Sequence, residues 1–293
     1  MKKIIFIVML LIVLGCSSDL DKNSESCYLN TNPLTIIHDN IEREYVMYIP
    51  DSYSGNSPVP LMFNFHGFAG SASYYMTDAD MRSLAESETF ILVYPQGSCS
   101  DGFSVWNPCP VGGDNKISTD DVGFVESIIT EISSQYNIDM ERVYAAGYSN
   151  GGMMAYGLAN YKSELIAAVA SISGVMLDCT IVPSHPMPVV HLHGTSDSVI
   201  PYNGNIDYNS AQSVLDYWID LNNTTTTPIM KSDNSGGITI EHYVYNQGDN
   251  NVAVEHYKYI EGGHVWFKSN FKENNTAKLV WDFVSKYDIN GLR

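Results

Sequence analysis

The chain has 293 residues, of which 44% are hydrophobic and 16% are charged, a composition typical of a globular protein with a sizeable core. Its formal net charge is −18, and a surface this acidic repels phosphate backbones, which argues against a nucleic-acid partner. The sequence has no internal repeats, and no linker interrupts the part that follows the N-terminal segment, so one folded domain is expected there.

The N-terminal segment has the pattern of an export signal. Lys2 and Lys3 precede an apolar run, residues 4–14, that is too short to span a bilayer and is typical of a signal peptide. The following "VLGC" resembles a bacterial lipobox, which predicts removal of residues 1–15 and lipidation of Cys16. An ordinary signal peptide cut elsewhere is the alternative. We expect an exported lipoprotein, periplasmic or on the cell surface, that meets the membrane only through this lipid.

Residues 16–30 are polar and acidic, which predicts a tether that leads to a folded domain at residues 31–293. In that domain apolar strand-like runs alternate with helical patterns. Strands are expected at 34–38, 43–49, 60–67, 90–95, 142–148, 165–174, 188–194, 238–245 and 252–260, and helices at 78–88, 120–136, 150–161, 210–222 and 275–287.

Short buried strands that alternate with helices predict an α/β fold, with a mostly parallel central sheet and helices on both faces. Ligands of such sheets bind at the carboxyl ends of the strands. The loops that follow residues 65, 95, 148, 193 and 260 are therefore the places to look for a site.

A serine lies between glycines where the strand at 142–148 meets the helix at 150–161. Gly147-Tyr148-Ser149-Asn150-Gly151 has the G-x-S-x-G pattern in a strand–turn–helix context, which predicts a nucleophilic serine on a sharp turn. The flanking glycines remove side chains that would clash in such a turn. The alternative is a glycine-rich turn whose serine caps the helix.

A serine hydroxyl needs a histidine to accept its proton and a carboxylate to orient that histidine. Asp197 in "HLHGTSD" and His264 in "YIEGGH" follow two later strands, in the order Ser, acid, His that α/β-hydrolases use. Taken alone, Asp197 suits a turn and His264 suits the core or the surface, but their order and placement favour a triad with Ser149. The amides of Asn150 and Phe68 are the predicted oxyanion hole.

Other titratable residues have simpler explanations. Asp120 and Asp121 precede a helix and suit its cap and its dipole. His191 and His193 would share one face of a strand, as a metal-binding pair does, but no third ligand accompanies them. His256 lies within a strand that has no loop to free it. The sequence predicts no metal and no organic cofactor.

Four cysteines remain once Cys16 is assigned to lipid, and an even number in an exported protein suggests disulfides. Three pairings are open. Cys99 and Cys109 lie ten positions apart in one loop, which favours that bridge and leaves Cys27 with Cys179.

Several segments resemble secreted α/β-hydrolases of the polyhydroxybutyrate depolymerase-like and feruloyl esterase-like family: "HGF", "VYPQG", "DDVGF", "GYSNGGMMAY", "HLHGTSDSVIPY" and "GGHVW", in that order. The resemblance extends from Leu34 to the C-terminal "SKYDING" and implies that Ser149, Asp197 and His264 are catalytic. It also implies an esterase acting on polysaccharide-linked feruloyl or acetyl esters, or on hydroxyalkanoate polyesters. The chain has "EGGH" and Trp-Phe where the family often has "GGGH" and Trp-Pro, a departure that bears on substrate choice.

Trp106, Trp266 and Tyr148 are the predicted substrate-binding side chains, because aromatic rings stack on a feruloyl ring or a sugar. Packing in the core is the alternative role of the two tryptophans. We expect the protein to be a monomer that binds an ester substrate. The alternative functions are a serine peptidase and a non-catalytic lipoprotein that captures a polymer or an oligosaccharide in a hydrolase pocket.

Overall fold

The structure is a computed structural model that describes residue 27 and residues 30–109, 117–178 and 181–293. The predicted signal peptide, the lipidated Cys16, most of the tether and Cys179 lie outside the described residues.

Strands and helices alternate along the chain, as the apolar pattern predicts. The strands are β1 (Leu34–His38), β2 (Ile41–Tyr48), β3 (Val59–Phe65), β4 (Ile91–Pro95), β5 (Ser98–Ser100), β6 (Phe103–Val105), β7 (Ile138–Tyr148), β8 (Ala168–Ile172), β9 (Val189–Gly194), β10 (Ile229–Ser235), β11 (Ile238–Tyr245), β12 (Val254–Tyr259), β13 (Tyr287–Asp288) and β14 (Gly291–Leu292). The helices are α1 (Ala72–Asp78), α2 (Arg82–Glu88), α3 (Asp121–Gln135), α4 (Asn150–Tyr161), α5 (Ala211–Leu221) and α6 (Thr276–Val284), and a 3₁₀ turn spans Asp249–Asn251.

Ten strands form one sheet, in the order β1-β2-β4-β3-β7-β8-β9-β12-β11-β10. The strands from β4 to β12 in this order are parallel, and antiparallel strands complete both edges. Every residue of β3, β4, β8 and β9 is buried, because helices cover both faces of a parallel sheet.

Two apolar clusters fill the space between the sheet and its helices. Buried side chains of α3, α4 and α5 belong to one cluster, and those of α1, α2 and α6 belong to the other. The predicted α/β class, with helices on both faces of a mostly parallel sheet, is confirmed. None of the described helices has the length and apolar character that a membrane crossing requires.

The structure differs from the predicted elements in several places, among them the last helix, which ends at Val284, before the β13–β14 hairpin. The helix expected at 78–88 is shorter, since α2 starts only after Met81, and the prediction missed α1, which ends where the chain leaves helical geometry at Ala79 (φ −106°, ψ 53°). The predicted loop at 96–119 contains the β5–β6 hairpin, and β10 forms an additional edge strand. Both β6 and β10 lack a long apolar run, so periodicity does not reveal them.

The predicted disulfide pairs are wrong, because Cys27 is bonded to Cys99, across a sequence separation of 72 residues. The disulfide joins the N-terminal segment to β5, and Asn30 fixes the same segment by donating hydrogen bonds to Glu44 on β2 and to Gln96 after β4. Cys109 is also disulfide-bonded. Cys27 and Asn30, at the end of the predicted tether, are thus attached to the folded domain.

Candidate active site

Ser149 occupies a strained turn between β7 and α4. Its φ of 55° and ψ of −120° lie in a region that L-residues rarely adopt. The turn requires the flanking glycines: a Cβ on Gly147 would lie 2.2 Å from the carbonyl oxygen of Gly151, and a Cβ on Gly151 would lie 2.1 Å from that of Phe65. The Ser149 hydroxyl makes no capping bond to α4, so it is available to another partner.

That partner is His264, which lies in the loop after β12. Its Nε2 is 2.8 Å from the Ser149 Oγ, and its Nδ1 is 2.7 Å from Asp197 Oδ2. Asp197 follows β9, so the three side chains come from loops at the carboxyl ends of three parallel strands. The structure brings together the serine, acid and histidine that the sequence singled out, at the hydrogen-bond distances that a Ser-His-Asp triad requires.

Asp197 is buried and accepts hydrogen bonds at both oxygens. Oδ1 accepts from the amides of Val199 and Ile200, each at 2.9 Å, while Oδ2 faces His264 and, at 3.3 Å, His193. Burial opposes ionisation, but these donors outweigh it and hold the pKa of the Asp197 carboxyl well below its ordinary value. The orienting group is therefore an anion at neutral pH.

Two backbone amides stand free beside Ser149. Asn150 is the first residue of α4 and Phe68 lies in the loop after β3, and within the described chain neither N–H donates to another protein group. A Cβ added to Gly67 would lie 3.0 Å from the Tyr148 ring and 3.4 Å from the Ser149 Cβ. The Phe68 loop therefore lies close to Ser149. Free amides at these positions are suited to bind an oxyanion.

The buried His66 holds the Phe68 loop in place. Its Nδ1 donates to the carbonyl of Gly67 at 2.7 Å, and its Nε2 accepts from the amide of Gly97 at 3.0 Å and from Gln96 Nε2 at 2.8 Å. Burial lowers the pKa of His66 to about 4, against the smaller effect of the Gly67 carbonyl. The ring is thus neutral at physiological pH, as the accepted bonds at Nε2 require.

The β5–β6 hairpin supports the same loop. Ala69, at a φ of 59°, donates its N–H to the carbonyl of Ser104 at 2.8 Å. The Asn150 side chain bonds the backbone of Trp106 through both its oxygen (2.7 Å) and its nitrogen (3.1 Å). The Trp106 indole donates to the carbonyl of His66 at 2.9 Å. Sequence reasoning missed these supports. The only signal for them was the cluster of polar and aromatic residues in the 96–107 loop.

A cavity of about 660 Å³ opens beside Ser149. Its surface is polar and apolar in similar measure, and its lining residues are Phe68, Val105, Trp106, Pro108, Met153, Leu177, Val199, Ile200, Ile206 and Tyr208, with Ser149, Asn150, Asp178 and Asp207. The Phe68 ring is half exposed and stacks on the ring of Phe103, at a centroid distance of 5.2 Å. This volume suits a small-molecule site.

The three aromatic residues predicted to bind substrate have different positions. Trp106 is buried but lines the cavity, so it serves both packing and the pocket wall. Trp266 is buried in the core against Tyr75 and is not among the described residues that line the cavity. The Tyr148 hydroxyl donates to the carbonyl of His264 at 2.9 Å, so it contacts the backbone of the candidate base.

One group of described side chains has the spacing of a metal site: His38, Asp39 and Asp120, whose ligand atoms lie within 4.8 Å of one another. It lies at the β1 edge of the sheet, and its members already have partners. Asp120 caps α3 and lies 3.2 Å from the His38 ring. His191 and His193, a metal-binding pair by spacing but without a third ligand in the sequence, bond to each other, ring nitrogen to ring nitrogen, at 3.1 Å.

Comparison with known proteins places these features in a family. The model of the family described as "Esterase PHB depolymerase" matches residues 43–215, which is more than half of the chain. The chain belongs to this PHB depolymerase esterase family. The resemblance read from the six sequence segments is therefore confirmed.

This family member is similar to two fungal proteins over most of its length. It is 29% identical to the bifunctional acetylxylan esterase/xylanase XynS20E of Neocallimastix patriciarum, over 85% of this chain and 34% of that protein. It is 29% identical to feruloyl esterase B of Piromyces equi, over 84% of this chain and 46% of that protein. The chain thus spans about a third to a half of the length of these relatives.

Solved structures share the fold. An acetyl xylan esterase from Aspergillus awamori aligns with a TM-score of 0.62 and 16% identity, over 87% of this chain and 99% of that one. A thermostable esterase aligns with a TM-score of 0.58 and 17% identity, over 87% of this chain and 62% of that one. Both likenesses show the α/β-hydrolase architecture.

Proposed function

We propose that this PHB depolymerase esterase family member is a serine esterase that hydrolyses carboxylic esters through an acyl-enzyme. The observation that carries the proposal is the hydrogen-bonded series Ser149–His264–Asp197, at 2.8 Å and 2.7 Å, at the wall of a cavity beside the free amides of Phe68 and Asn150. Esterases among the relatives and the structural neighbours support it.

The mechanism assigns a role to each residue, and His264 acts in turn as base and acid. Ser149 Oγ attacks the ester carbonyl while His264 Nε2 takes its proton, and Asp197 orients and stabilises the resulting imidazolium. The amides of Phe68 and Asn150 bind the negative charge that develops on the carbonyl oxygen. His264 then protonates the departing alcohol. A water molecule, deprotonated by His264, attacks the acyl carbon; the bond from this carbon to Ser149 Oγ breaks, the acid leaves, and His264 returns the proton to Ser149. The residues supply all of these steps, so the mechanism needs no cofactor.

The substrate proposal is an aromatic acyl ester of a polysaccharide, of the feruloyl type. The cavity has room for far more than an acetyl group, and the apolar side chains of its wall suit a planar ring that keeps its polar groups towards solvent. The stacked rings of Phe68 and Phe103 at its edge offer an aromatic surface for that ring or for a sugar. Feruloyl esterase B among the relatives supports an aromatic acyl group, while the acetylxylan esterase among them makes acetyl esters the alternative.

The setting of the enzyme is proposed from the sequence. Residues 1–15 are a signal peptide, Cys16 carries a lipid anchor, residues 16–30 form a tether, and a monomeric catalytic domain follows from residue 31. The Cys27–Cys99 disulfide supports export, because such bonds persist in oxidising compartments. Cys16→Ser should move the protein from the membrane fraction to the soluble fraction. Retention in the membrane would contradict the anchor, and light scattering of the soluble form measures the monomer.

The activity is tested by initial rates on methyl ferulate, acetylated xylan and polyhydroxybutyrate. We expect the highest kcat/KM on methyl ferulate and loss of activity in Ser149→Ala. Ser173→Ala is the matched control, since Ser173 is also buried and has a φ of 51°, but its hydroxyl bonds the carbonyl of Val265 at 3.4 Å. Failure of the wild type on all three esters would contradict the esterase proposal. A preference for acetylated xylan or polyhydroxybutyrate would contradict only the aromatic acyl group.

A further inference from the structure

A second histidine contacts Asp197 from the core of the protein. His193 lies on β9, four residues before Asp197, and its side chain is fully buried. Its Nε2 is 2.9 Å from the carbonyl oxygen of Ile200 and 3.3 Å from Asp197 Oδ2. Both neighbours are acceptors, so Nε2 must carry a proton, and this N–H donates to the Ile200 carbonyl with the Asp197 carboxylate beside it.

The protonation of His193 fixes that of the residues behind it. With its proton on Nε2, His193 Nδ1 is an acceptor, so the His191 Nε2 at 3.1 Å must carry a proton and donate it. His191 Nδ1 is then an acceptor as well, and it receives the hydroxyl of Tyr156 at 2.8 Å. These side chains are fully buried, and burial holds the pKa of His191 well below its ordinary value, which keeps its ring neutral.

The result is a series of hydrogen bonds from Tyr156 through His191 to His193, whose Nε2–H donates to the carbonyl of Ile200 and lies 3.3 Å from Asp197 Oδ2. The last N–H meets the same oxygen, Oδ2, that accepts from His264. Backbone amides fix only Oδ1 of the carboxylate. Within the described chain, His193 is thus the one side chain besides His264 that contacts Oδ2.

We propose that His193, supported by His191 and Tyr156, is a positioning residue for the catalytic acid, which it holds by Oδ2 in the orientation that His264 needs. This inference rests on the proposed esterase function. His193 does not touch the reacting atoms; it acts through Asp197. The expected loss is therefore in the chemical step and not in substrate binding.

Three other side chains lie around the His193 ring, and none of them has a hydrogen bond to Asp197 within the described chain. Lys258 is opposite His193 in the register of β12, and the Tyr202 ring stands edge-on at 5.6 Å. His256 is equally buried on β12, but it donates to the carbonyl of His191 at 3.0 Å and accepts from the Tyr202 hydroxyl at 2.9 Å. His256 is therefore a matched control: a buried histidine of the same cluster with no bond to Asp197.

The test compares His193→Gln, His193→Asn and His193→Leu in the full chain, on methyl ferulate, with active sites counted by a fluorophosphonate. A glutamine amide can place an N–H near the position of Nε2, whereas the shorter asparagine amide reaches only that of Nδ1, and leucine donates nothing. We expect kcat to fall roughly tenfold in the Asn and Leu variants, which corresponds to about 1.4 kcal/mol in the barrier. KM should stay within about twofold, since substrate binding is unaffected.

The Gln variant should recover most of this loss, and Tyr156→Phe should lose roughly threefold or less, because it removes only the first donor of the series. His256→Leu should lower the melting temperature but leave kcat near that of the wild type. Equal kcat in the Gln and Asn variants, or wild-type kcat in the Asn variant, would overturn the positioning role. Should Leu fail to fold, the Gln and Asn pair still decides the question. An inactive wild type would instead refute the esterase proposal itself.

Discussion

The two sides of the candidate active site are built differently. On the triad side, three side chains from separate loops bond one another directly, and their residue types state their chemistry. On the oxyanion side, the groups proposed to face the substrate are backbone amides, and buried side chains such as His66 and Trp106 bond the loop that carries one of them. One side depends on a charged group, Asp197, and the other depends on a histidine that must remain neutral.

The largest expected effect is on the triad side. Asp197→Asn keeps the size of the side chain but removes the charge and presents an amide to His264, which favours the wrong imidazole tautomer. We expect kcat to fall by roughly 10³- to 10⁴-fold. Steady-state rates on methyl ferulate measure it, and a fall of less than roughly tenfold would show that Asp197 does not orient the base.

The next effect is on the oxyanion side. His66→Leu removes the acceptor of the Gly97 amide and frees the loop that carries the Phe68 N–H. We expect kcat to fall roughly 100-fold, as for the loss of one oxyanion donor, with little change in KM. His66→Gln, whose side-chain oxygen can accept the same N–H, should lose less. Equal losses in the two variants would contradict a role for the bond at Nε2.

The two sides also differ in how much of them the sequence could predict. Ser149, Asp197 and His264 were predictable because their types, order and places after strands follow from the chemistry of a triad. The supports of the oxyanion loop were not, because His66, Gln96 and Asn150 act through partners 30 to 44 residues away. The Cys27–Cys99 bond was mispredicted for the same reason: proximity in the sequence favoured Cys109, but the fold brings the N-terminal segment to β5.

The third prediction concerns the pH dependence of stability, which differs between His66 on the oxyanion side and Asp197 on the triad side. The pKa of His66 falls from an ordinary 6.5 to about 4 on folding, so the unfolded chain binds more protons between these values. Stability is therefore complete above about pH 6.5 and is lost as the pH falls towards 4, by on the order of 3 kcal/mol from His66. The pKa of Asp197 is lowered from 3.8, so its contribution is lost only at more acidic pH.

Denaturant unfolding of the wild type from pH 7.5 to pH 4.5 measures this dependence. His191 and the buried His256, whose pKa is lowered to about 3, add to the slope in the same direction. His66→Gln should reduce the slope without abolishing it. A wild-type stability that is constant or rises as the pH falls through this window would contradict the neutral, buried state of these rings.

The smallest expected effect on activity comes from the Cys27–Cys99 bridge. Changing both cysteines to serine should lower the free energy of unfolding by about 4 kcal/mol, because the bridge closes a loop of 72 residues and so restricts the unfolded chain. The kcat should change by less than roughly twofold, since the hydrogen bonds of the hairpin remain. A loss of kcat as large as that of His66→Leu would show that the disulfide, and not His66, holds the oxyanion loop.

The most direct test of the central claim is covalent labelling of the nucleophile. Incubation with a fluorophosphonate, followed by intact mass and peptide mapping, should show one adduct per chain in the wild type, on Ser149. Ser149→Ala should remain unlabelled, while Ser173→Ala should label like the wild type. A wild type that fails to label, or a Ser149→Ala variant that labels equally well, would contradict the assignment of Ser149 as the nucleophile.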